Sequence, residues 1–196
     1  MTEQESSTEA SGEREVITIM LGELADTTGA VDGNTSHITA LSTTLMGGAE
    51  GNLLRIGRGA MDLSTIADES VELSATPVIE HFHFRPDWFS FGELPEPSAA
   101  SDSWIIMIRG QLVDPDSAQA AHDAVAEAGA PPMRERGDIA HLPLTGATDP
   151  SQFLSIDLWD NDKNSNIEAM YGNPDVSAGF MQLFAEPPVL QVFRCS

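Results

Sequence analysis

The sequence is poor in positive charge. It contains nine Lys and Arg residues against 31 Asp and Glu, with a formal net charge of −22, and its single lysine is Lys163. A surface that neutralises phosphates needs clustered cations, so we expect neither nucleic acid nor an anionic membrane as a partner. The acidity is typical of a solvated surface that keeps a chain soluble. It would also suit a salt-rich cytoplasm, where ions screen self-repulsion.

Cysteine and long apolar runs are also scarce. Cys195 is the single cysteine, so the sequence predicts neither an intrachain disulfide nor a cysteine-based zinc site. No apolar run approaches the ~20 residues of a membrane helix, and the first residues are acidic rather than basic and then apolar. We therefore expect a soluble, cytoplasmic protein. Dinucleotide-binding, phosphate-loop and nucleophile-elbow motifs are absent from the sequence.

Composition divides the chain into four parts. Residues 1–14 are polar and acidic, which predicts a disordered tail. Residues 93–102 are rich in Pro, Ser and Ala without periodicity, which predicts a linker. The ordered chain is then expected to comprise residues 15–92 and residues 103–196.

The segment 103–196 has a pattern of alternating strands and helices. A helix is expected to begin at Asp114-Pro115 and to end near Gly129, and a second helical region near 167–184 is interrupted before Pro174. Strands are expected at residues 104–113, 138–144, 152–159 and 189–194. The resulting order, βαββαβ, predicts an α+β fold of the ferredoxin-like type with an antiparallel sheet.

The segment 15–92 looks like a degenerate copy of the second. Residues 17–26 align with 105–114, and residues 77–82 align with 188–193, which are the first and last strands of each half. Two further strands, at 36–45 and 52–60, and a short helix at 62–71 are expected between them. The hypothesis is an internal repeat with reduced helices, and the alternative is a small independent β-rich domain.

Several motifs of the second half resemble a known superfamily. They are Ala121-His-Asp123, Arg136-Gly-Asp-Ile-Ala-His141, Phe153-Leu-Ser-Ile-Asp-Leu-Trp-Asp160, Met170-Tyr-Gly-Asn-Pro-Asp-Val-Ser-Ala-Gly-Phe180 and Leu183-Phe-Ala-Glu-Pro-Pro188. In these motifs the chain resembles the dimeric α/β-barrel superfamily, which includes the antibiotic-biosynthesis-monooxygenase-like domains. The resemblance implies two βαββαβ units with their sheets face to face and their helices outside. This chain would then be either a monomer with an intrachain barrel or a homodimer. Members include cofactor-free oxygenases, dehydratases, haem-handling enzymes and proteins with no assigned activity, so the fold leaves the function open.

Strand alternation predicts which side chains face the barrel lumen, because successive side chains point to opposite faces. We assign the apolar sets of each strand, such as Leu154, Ile156 and Leu158, to the helix-facing side. The opposite set would line a small-molecule pocket in the lumen. Its predicted catalytic members are His141, Asp157 and Arg109, and its predicted substrate-binding members are Met107, Gln111, Ser155, Trp159, Gln191 and Phe193.

The leading functional hypothesis is a cofactor-independent, monooxygenase-like enzyme that acts on an aromatic or polyketide-like substrate. His141 would be the general base, Asp157 would orient it, and Arg109 would stabilise an anion. Alternatively, Arg109 and Asp157 simply neutralise one another, because a buried charge needs a partner.

Two other functions remain open. One is a non-enzymatic structural barrel whose lumen is filled by its own side chains, and the other is a metal- or haem-binding protein with His141 as the ligand. His122 is expected to be structural or exposed. His81 and His83 lie on one face of a strand, but their aligned counterparts face the helices and no third ligand is evident, so no metal site is assigned to them.

Overall fold

Eight strands form a closed barrel within the single chain. The computed structural model describes residues 15–23, 25, 37–42, 52–61, 73–100, 102–160 and 174–195. The elements are β1 (Val16–Glu23), β2 (His37–Ser42), β3 (Asn52–Arg58), β4 (Val78–Phe84), β5 (Trp104–Gln111), α1 (Ala118–Glu135), β6 (Asp138–Gly146), β7 (Gln152–Trp159), α2 (Pro174–Met181) and β8 (Val189–Cys195), with a 3₁₀ turn at Pro97–Ala99. Around the barrel the order is β1-β3-β2-β8-β5-β7-β6-β4. Neither helix in this described part is long and apolar enough to cross a membrane.

The two halves of the chain have the same strand order. It is β4-β1-β3-β2 in the first half and β8-β5-β7-β6 in the second, and every pairing is antiparallel. The halves join through β2 with β8 and through β4 with β6. The second half has the predicted βαββαβ order, so the α+β, ferredoxin-like fold is confirmed. The two sheets pair inside one chain, whereas duplication of the sequence stays a prediction.

The barrel lumen is a packed apolar core. All eight strands contribute to it, and their buried members are Ile17, Ile19, Ile38, Ala40, Leu54, Ile56, Phe82, Ile105, Met107, Ala140, Leu142, Leu144, Leu154, Ile156, Leu158, Phe193 and Cys195. Leu94 and Ala100 join the same core, so part of the predicted linker packs against the barrel. Burial raises the pKa of the Cys195 thiol to about 12, which keeps it protonated and unreactive.

The helices cover the outer face of the second half. The predicted start of α1 at Asp114-Pro115 is three residues early, because the helix begins at Ala118. The Asp114 carboxylate instead closes the preceding turn, where it accepts hydrogen bonds from the Asp116 N–H and the Ser117 hydroxyl. The predicted end near Gly129 is wrong, since α1 continues through Pro131 and Pro132 to Glu135. A proline leaves the carbonyl four residues earlier without a donor, and here those carbonyls belong to exposed residues, which water can reach. Helix α2 begins at Pro174, whereas the predicted break before it lies outside the described residues. The predicted helix at 62–71, the helical stretch before residue 174 and the tail 1–14 lie outside the described residues.

The predicted faces of β6 and β7 are wrong. Directly paired residues in an antiparallel sheet share a face, and Ile156 pairs with Met107 of β5. Both lie in the lumen core, so the odd-numbered residues of β7 must point outwards to the helices. The lumen takes the most apolar set because it is enclosed on every side, whereas the outer face is only partly covered. The predicted site residues His141, Ser155, Asp157 and Trp159 therefore face the helices and not the lumen.

The predicted faces of β5 and β8 are correct. Met107 and Phe193 are buried in the lumen core. Arg109 reaches Glu80 across the barrel, with 2.6 Å between Nη2 and Oε2. Gln111 donates a hydrogen bond to Ser151. The ninth residue, Gln191, lies on the wall of a shallow depression at the barrel rim. The nine predicted residues are thus divided between two faces of the sheet.

Candidate functional site

A cavity of about 440 Å³ lies between the outer face of the second sheet and the two helices. Its volume falls within the range of small-molecule sites, roughly 300–1,000 Å³. Its walls are mostly apolar and include Phe91, Ile108, Val125, Met133 and Phe180. The polar side chains on its wall come from β6 and β7, and they are Asp138, His141, Ser155 and Asp157. An apolar cavity with a few convergent polar groups is the usual form of a ligand site.

The local sequence of β6 explains why two of these groups share the cavity. Asp138 and His141 are three residues apart and would point to opposite faces of a regular strand. A bulge lies between Asp138 and Ala140, and the extra residue, Ile139, is 48% exposed. The bulge shifts the alternation by one residue. Asp138 therefore faces the same cavity as His141.

His141 and Asp157 form the predicted pair. They lie directly opposite one another on β6 and β7, and Nδ1 of His141 is 2.6 Å from Oδ1 of Asp157. The other carboxylate oxygen accepts a hydrogen bond from the Ser155 hydroxyl at 2.8 Å. Asp157 is 2% exposed. Two donors to one buried carboxylate favour its ionised form, so we assign the proton of the short contact to Nδ1 of His141.

His122 of α1 extends this pair into a chain of four residues. Its Nε2 lies 3.2 Å from Nε2 of His141, and the two rings are nearly parallel with their centroids 5.3 Å apart. The nitrogens are much closer than the centroids, so the rings meet edge to edge through these atoms. Nδ1 of His122 lies 2.9 Å from Oδ1 of Asp123, an oxygen that also accepts the Phe89 N–H. Asp157, His141, His122 and Asp123 thus form a continuous hydrogen-bonded chain, which we call the carboxylate–histidine chain.

The proton count of the carboxylate–histidine chain follows from its contacts. Each carboxylate accepts from an Nδ1–H, and the contact between the two Nε2 atoms needs one further proton. The two rings therefore share three protons and one positive charge. Burial lowers the pKa of His122 to about 4, although the hydrogen bond to Asp123 opposes this shift. A charged His122 is therefore disfavoured, which favours the neutral ring of His122 as the acceptor in its contact with His141.

The carboxylate–histidine chain leads from the cavity towards solvent. His122 is completely buried against the rings of Trp88 and Phe153, with centroids 4.9 and 5.8 Å away. The side chain of Asp123 is 30% exposed. Because each neighbouring pair is within hydrogen-bonding distance, a proton can pass from His141 to Asp123 and then to water without leaving the hydrogen-bonded path.

The remaining predicted residues are not part of this site. Trp159 lies on the same outer face but packs with Ile106 and Val192 in a separate cluster. The predicted contact between Arg109 and Asp157 is wrong, because the two residues lie on opposite faces and Arg109 binds Glu80. The position of Arg109 also removes the structural basis for its predicted role as an anion stabiliser beside His141.

Three residues of the site were not predicted as such: His122, Asp123 and Asp138. The prediction that His122 is structural or exposed is wrong on exposure, since the side chain is fully buried and contacts His141. All three belong to motifs that carried the family resemblance, Ala121-His-Asp123 and Arg136-Gly-Asp138. A histidine between alanines on a helix, next to an acidic residue, was the available indication.

Metal binding has no preassembled donor set in the described ranges. They contain no group of three His, Cys, Asp or Glu side chains placed to hold an ion. Both nitrogens of His141 are engaged by protein groups, so a haem iron would have to displace one of these contacts. His81 contacts the Thr18 hydroxyl at 3.0 Å and lies on β4, outside the cavity.

Solved structures with the same fold cover nearly the whole chain. An anthrone oxidase-like protein matches with a TM-score of 0.61 and 9% identity, over 94% of this chain and 92% of that one. An uncharacterised ferredoxin-fold protein from Listeria monocytogenes, related to antibiotic biosynthesis monooxygenases, matches at 0.54 and 11%, over 93% and 95%. A monooxygenase-like protein from Listeria innocua matches at 0.52 and 10%, over 93% and 94%. No protein-family model and no curated protein matches the sequence. The chain thus has the fold of the antibiotic-biosynthesis-monooxygenase-like proteins, as the sequence motifs predicted.

Proposed function

We propose that the protein is a cofactor-independent, monooxygenase-like enzyme that binds an aromatic or polyketide-like substrate in the cavity between the sheet and the helices. The observation that carries this proposal is the buried carboxylate–histidine chain at the wall of a 440 Å³ apolar cavity. A buried imidazole held between a carboxylate and a route to solvent is suited to proton transfer near neutral pH. The monooxygenase-like names of the structural neighbours agree with this chemistry.

His141 is the proposed acid–base group, and His122 makes it available. In the proposed resting arrangement Nε2 of His141 donates a hydrogen bond to Nε2 of His122, which lies 3.2 Å away. Transfer of this proton through His122 and Asp123 to water leaves His141 neutral, with its Nδ1–H still bound to Asp157. A substrate that displaces the His122 contact can then give a proton from its O–H or activated C–H to the Nε2 lone pair. Asp157 stabilises the imidazolium that results.

The cavity supplies the other conditions that the proposed oxygenation needs. Deprotonation of a phenol or of a ketone-activated carbon gives an electron-rich anion, which is the species that reacts with dioxygen without a bound cofactor. Rings such as Phe91 and Phe180 can pack on a planar substrate. The apolar walls limit access of water, which strengthens the electrostatic contribution of the nearby charges.

The proposal is tested by oxygen uptake with anthrone as the probe, chosen from the name of one structural neighbour. His141→Ala and Asp157→Asn should each lower the protein-dependent rate by about 10²-fold or more. His81→Ala is the matched control, because this histidine lies outside the cavity. If both site variants retain the wild-type rate and the wild-type affinity, His141 is not the acid–base group.

A structural role is the second candidate, and the packed lumen favours it. The lumen residues fill the barrel, and the opening at its end that reaches Ile17 and Ile156 measures about 200 Å³. A structural unit would not need the carboxylate–histidine chain, because buried charges are costly unless they serve another purpose. Replacing His141 and Asp157 together by Leu separates the two roles: a purely structural pair would be replaced with little loss of stability and no loss of ligand affinity.

A further inference from the structure

Asp138 is a buried carboxyl group that faces the cavity without being used by the carboxylate–histidine chain. It is 2% exposed and lies on the cavity wall. The Ala140 N–H lies near enough to favour the ionised form weakly, but among the described residues no donor makes a well-formed hydrogen bond to either oxygen. Buried polar groups are almost always hydrogen-bonded, so an exception at a cavity indicates a position where a ligand can complete the bonding.

The surroundings keep this carboxyl neutral. Burial, followed by the negative charge of Asp157, raises the pKa of Asp138 to about 9. The backbone N–H of Ala140 and the charge of Arg134 oppose this shift but do not offset it. At neutral pH Asp138 therefore carries a proton, and its hydroxyl is a hydrogen-bond donor at the cavity wall.

The other polar groups of the cavity wall have no donor to spare. The Ser155 hydroxyl donates its hydrogen bond to Asp157, and both nitrogens of His141 lie within hydrogen-bonding distance of other side chains. Within the part of the chain that the structure describes, Asp138 is thus the cavity-lining side chain that can offer an O–H to a ligand. A pocket with one donor in an apolar wall discriminates strongly against ligands that cannot accept its hydrogen bond.

We propose that Asp138 is a ligand-binding residue that donates its O–H to an acceptor oxygen, so that the cavity selects aromatic ketones, enols or phenols over hydrocarbons of the same shape. This inference rests on the proposed function, because it assigns a substrate class to the same cavity. It also gives the acceptor oxygen a place at the start of β6, near the His141 that would remove a proton from the same molecule.

Equilibrium dialysis with two matched probes tests this inference. 9-Fluorenone and fluorene have the same ring system, and the first carries a carbonyl oxygen. The wild-type protein should bind fluorenone about three- to tenfold more tightly than fluorene, the effect of one neutral hydrogen bond. Asp138→Asn should keep this preference, since the amide N–H still donates. Asp138→Leu should bind both compounds equally. In the wild type the preference should disappear above pH 9, as the carboxyl ionises, and in Asp138→Asn it should persist.

Several outcomes would overturn the inference. They are absence of binding of either compound, equal binding by the wild type, a preference that survives in Asp138→Leu, and a preference lost in Asp138→Asn. The last result would mean that the preference does not depend on a hydrogen-bond donor at position 138. Binding is measured without turnover, so failure of the proposed oxygenation leaves this result intact. Conversely, loss of the carbonyl preference leaves the His141 chemistry to be judged by oxygen uptake.

Discussion

The buried Asp138 should make the protein less stable as the pH rises from 6.5 to 8.5. Its pKa is raised from 3.8 to about 9 in the folded state, so the folded protein holds a proton that the unfolded chain has released over this range. Stability falls with pH wherever the folded state binds more protons. One proton corresponds to about 1.4 kcal/mol per pH unit, so we expect a loss of about 2–3 kcal/mol over the two units.

The pH window is set by His122. Its pKa is lowered from 6.5 to about 4 in the folded state, so below pH 6.5 the unfolded chain takes up a proton that the folded protein does not. As the pH rises towards 6.5, the His122 contribution increases the stability of the folded protein, which opposes the loss caused by Asp138. Above pH 6.5 His122 is neutral in both states. The decline caused by Asp138 is then no longer opposed by His122.

Urea unfolding followed by tryptophan fluorescence at pH 6.5, 7.5 and 8.5 measures the effect. The salt concentration is held constant because the chain carries a formal net charge of −22. Asp138→Asn is the matched control, since it keeps the side-chain size and cannot ionise, and its free energy of unfolding should fall less steeply with pH than that of the wild type. A wild-type slope no steeper than that of the variant would refute the conclusion that Asp138 is protonated in the folded state.

Further predictions concern the core, the close contacts and the assembly. Ile156→Ala should cost about 2–5 kcal/mol in urea unfolding, because the side chain is fully buried in the packed lumen. Gly110→Ala should cost about 1–3 kcal/mol, since a Cβ would overlap the Phe184 ring. Gly129→Ala, by contrast, should raise stability by about 0.5–1 kcal/mol, because its Cβ would meet nothing closer than Met133 Sδ at 3.7 Å inside a helix. Native mass spectrometry should give a monomer of 21.0 kDa, since the barrel closes within one chain; a dimer would contradict this.

The strands could be predicted from the sequence because their local patterns are strong. The eight predicted strands match the eight observed, with shifts of a few residues at their ends. Asp114 followed by Pro115 was also a local indication of α1, although the helix begins three residues later than predicted, at Ala118. The end of α1 could not be predicted from the local sequence. Gly129 and two prolines indicate that the helix stops, but a helix whose carbonyls face water tolerates these residues.

The pattern of a single strand could not predict which of its two faces points to the barrel lumen. Alternation separates Leu154, Ile156 and Leu158 from Ser155 and Asp157, and this separation is correct. It does not say which set faces the lumen, because both faces of this sheet are covered. The answer depends on the pairing of β7 with β5, which is long-range information. The pair His141–Asp157 was still predicted, since opposite residues on neighbouring strands stay together whichever face they share.

The position of the site follows from the closure of the barrel. In β6 and β7 the more apolar side of the strand fills the lumen, so the polar members of these two strands lie on the outer side. There, α1 and α2 cover the sheet incompletely and leave the 440 Å³ cavity. The helix that covers the polar residues also supplies His122, which connects buried His141 to the partly exposed Asp123. A reactive group in a filled lumen would lack both the space and the route for its proton. The outer face offers both, which is why we place the chemistry of this protein between the sheet and its helices.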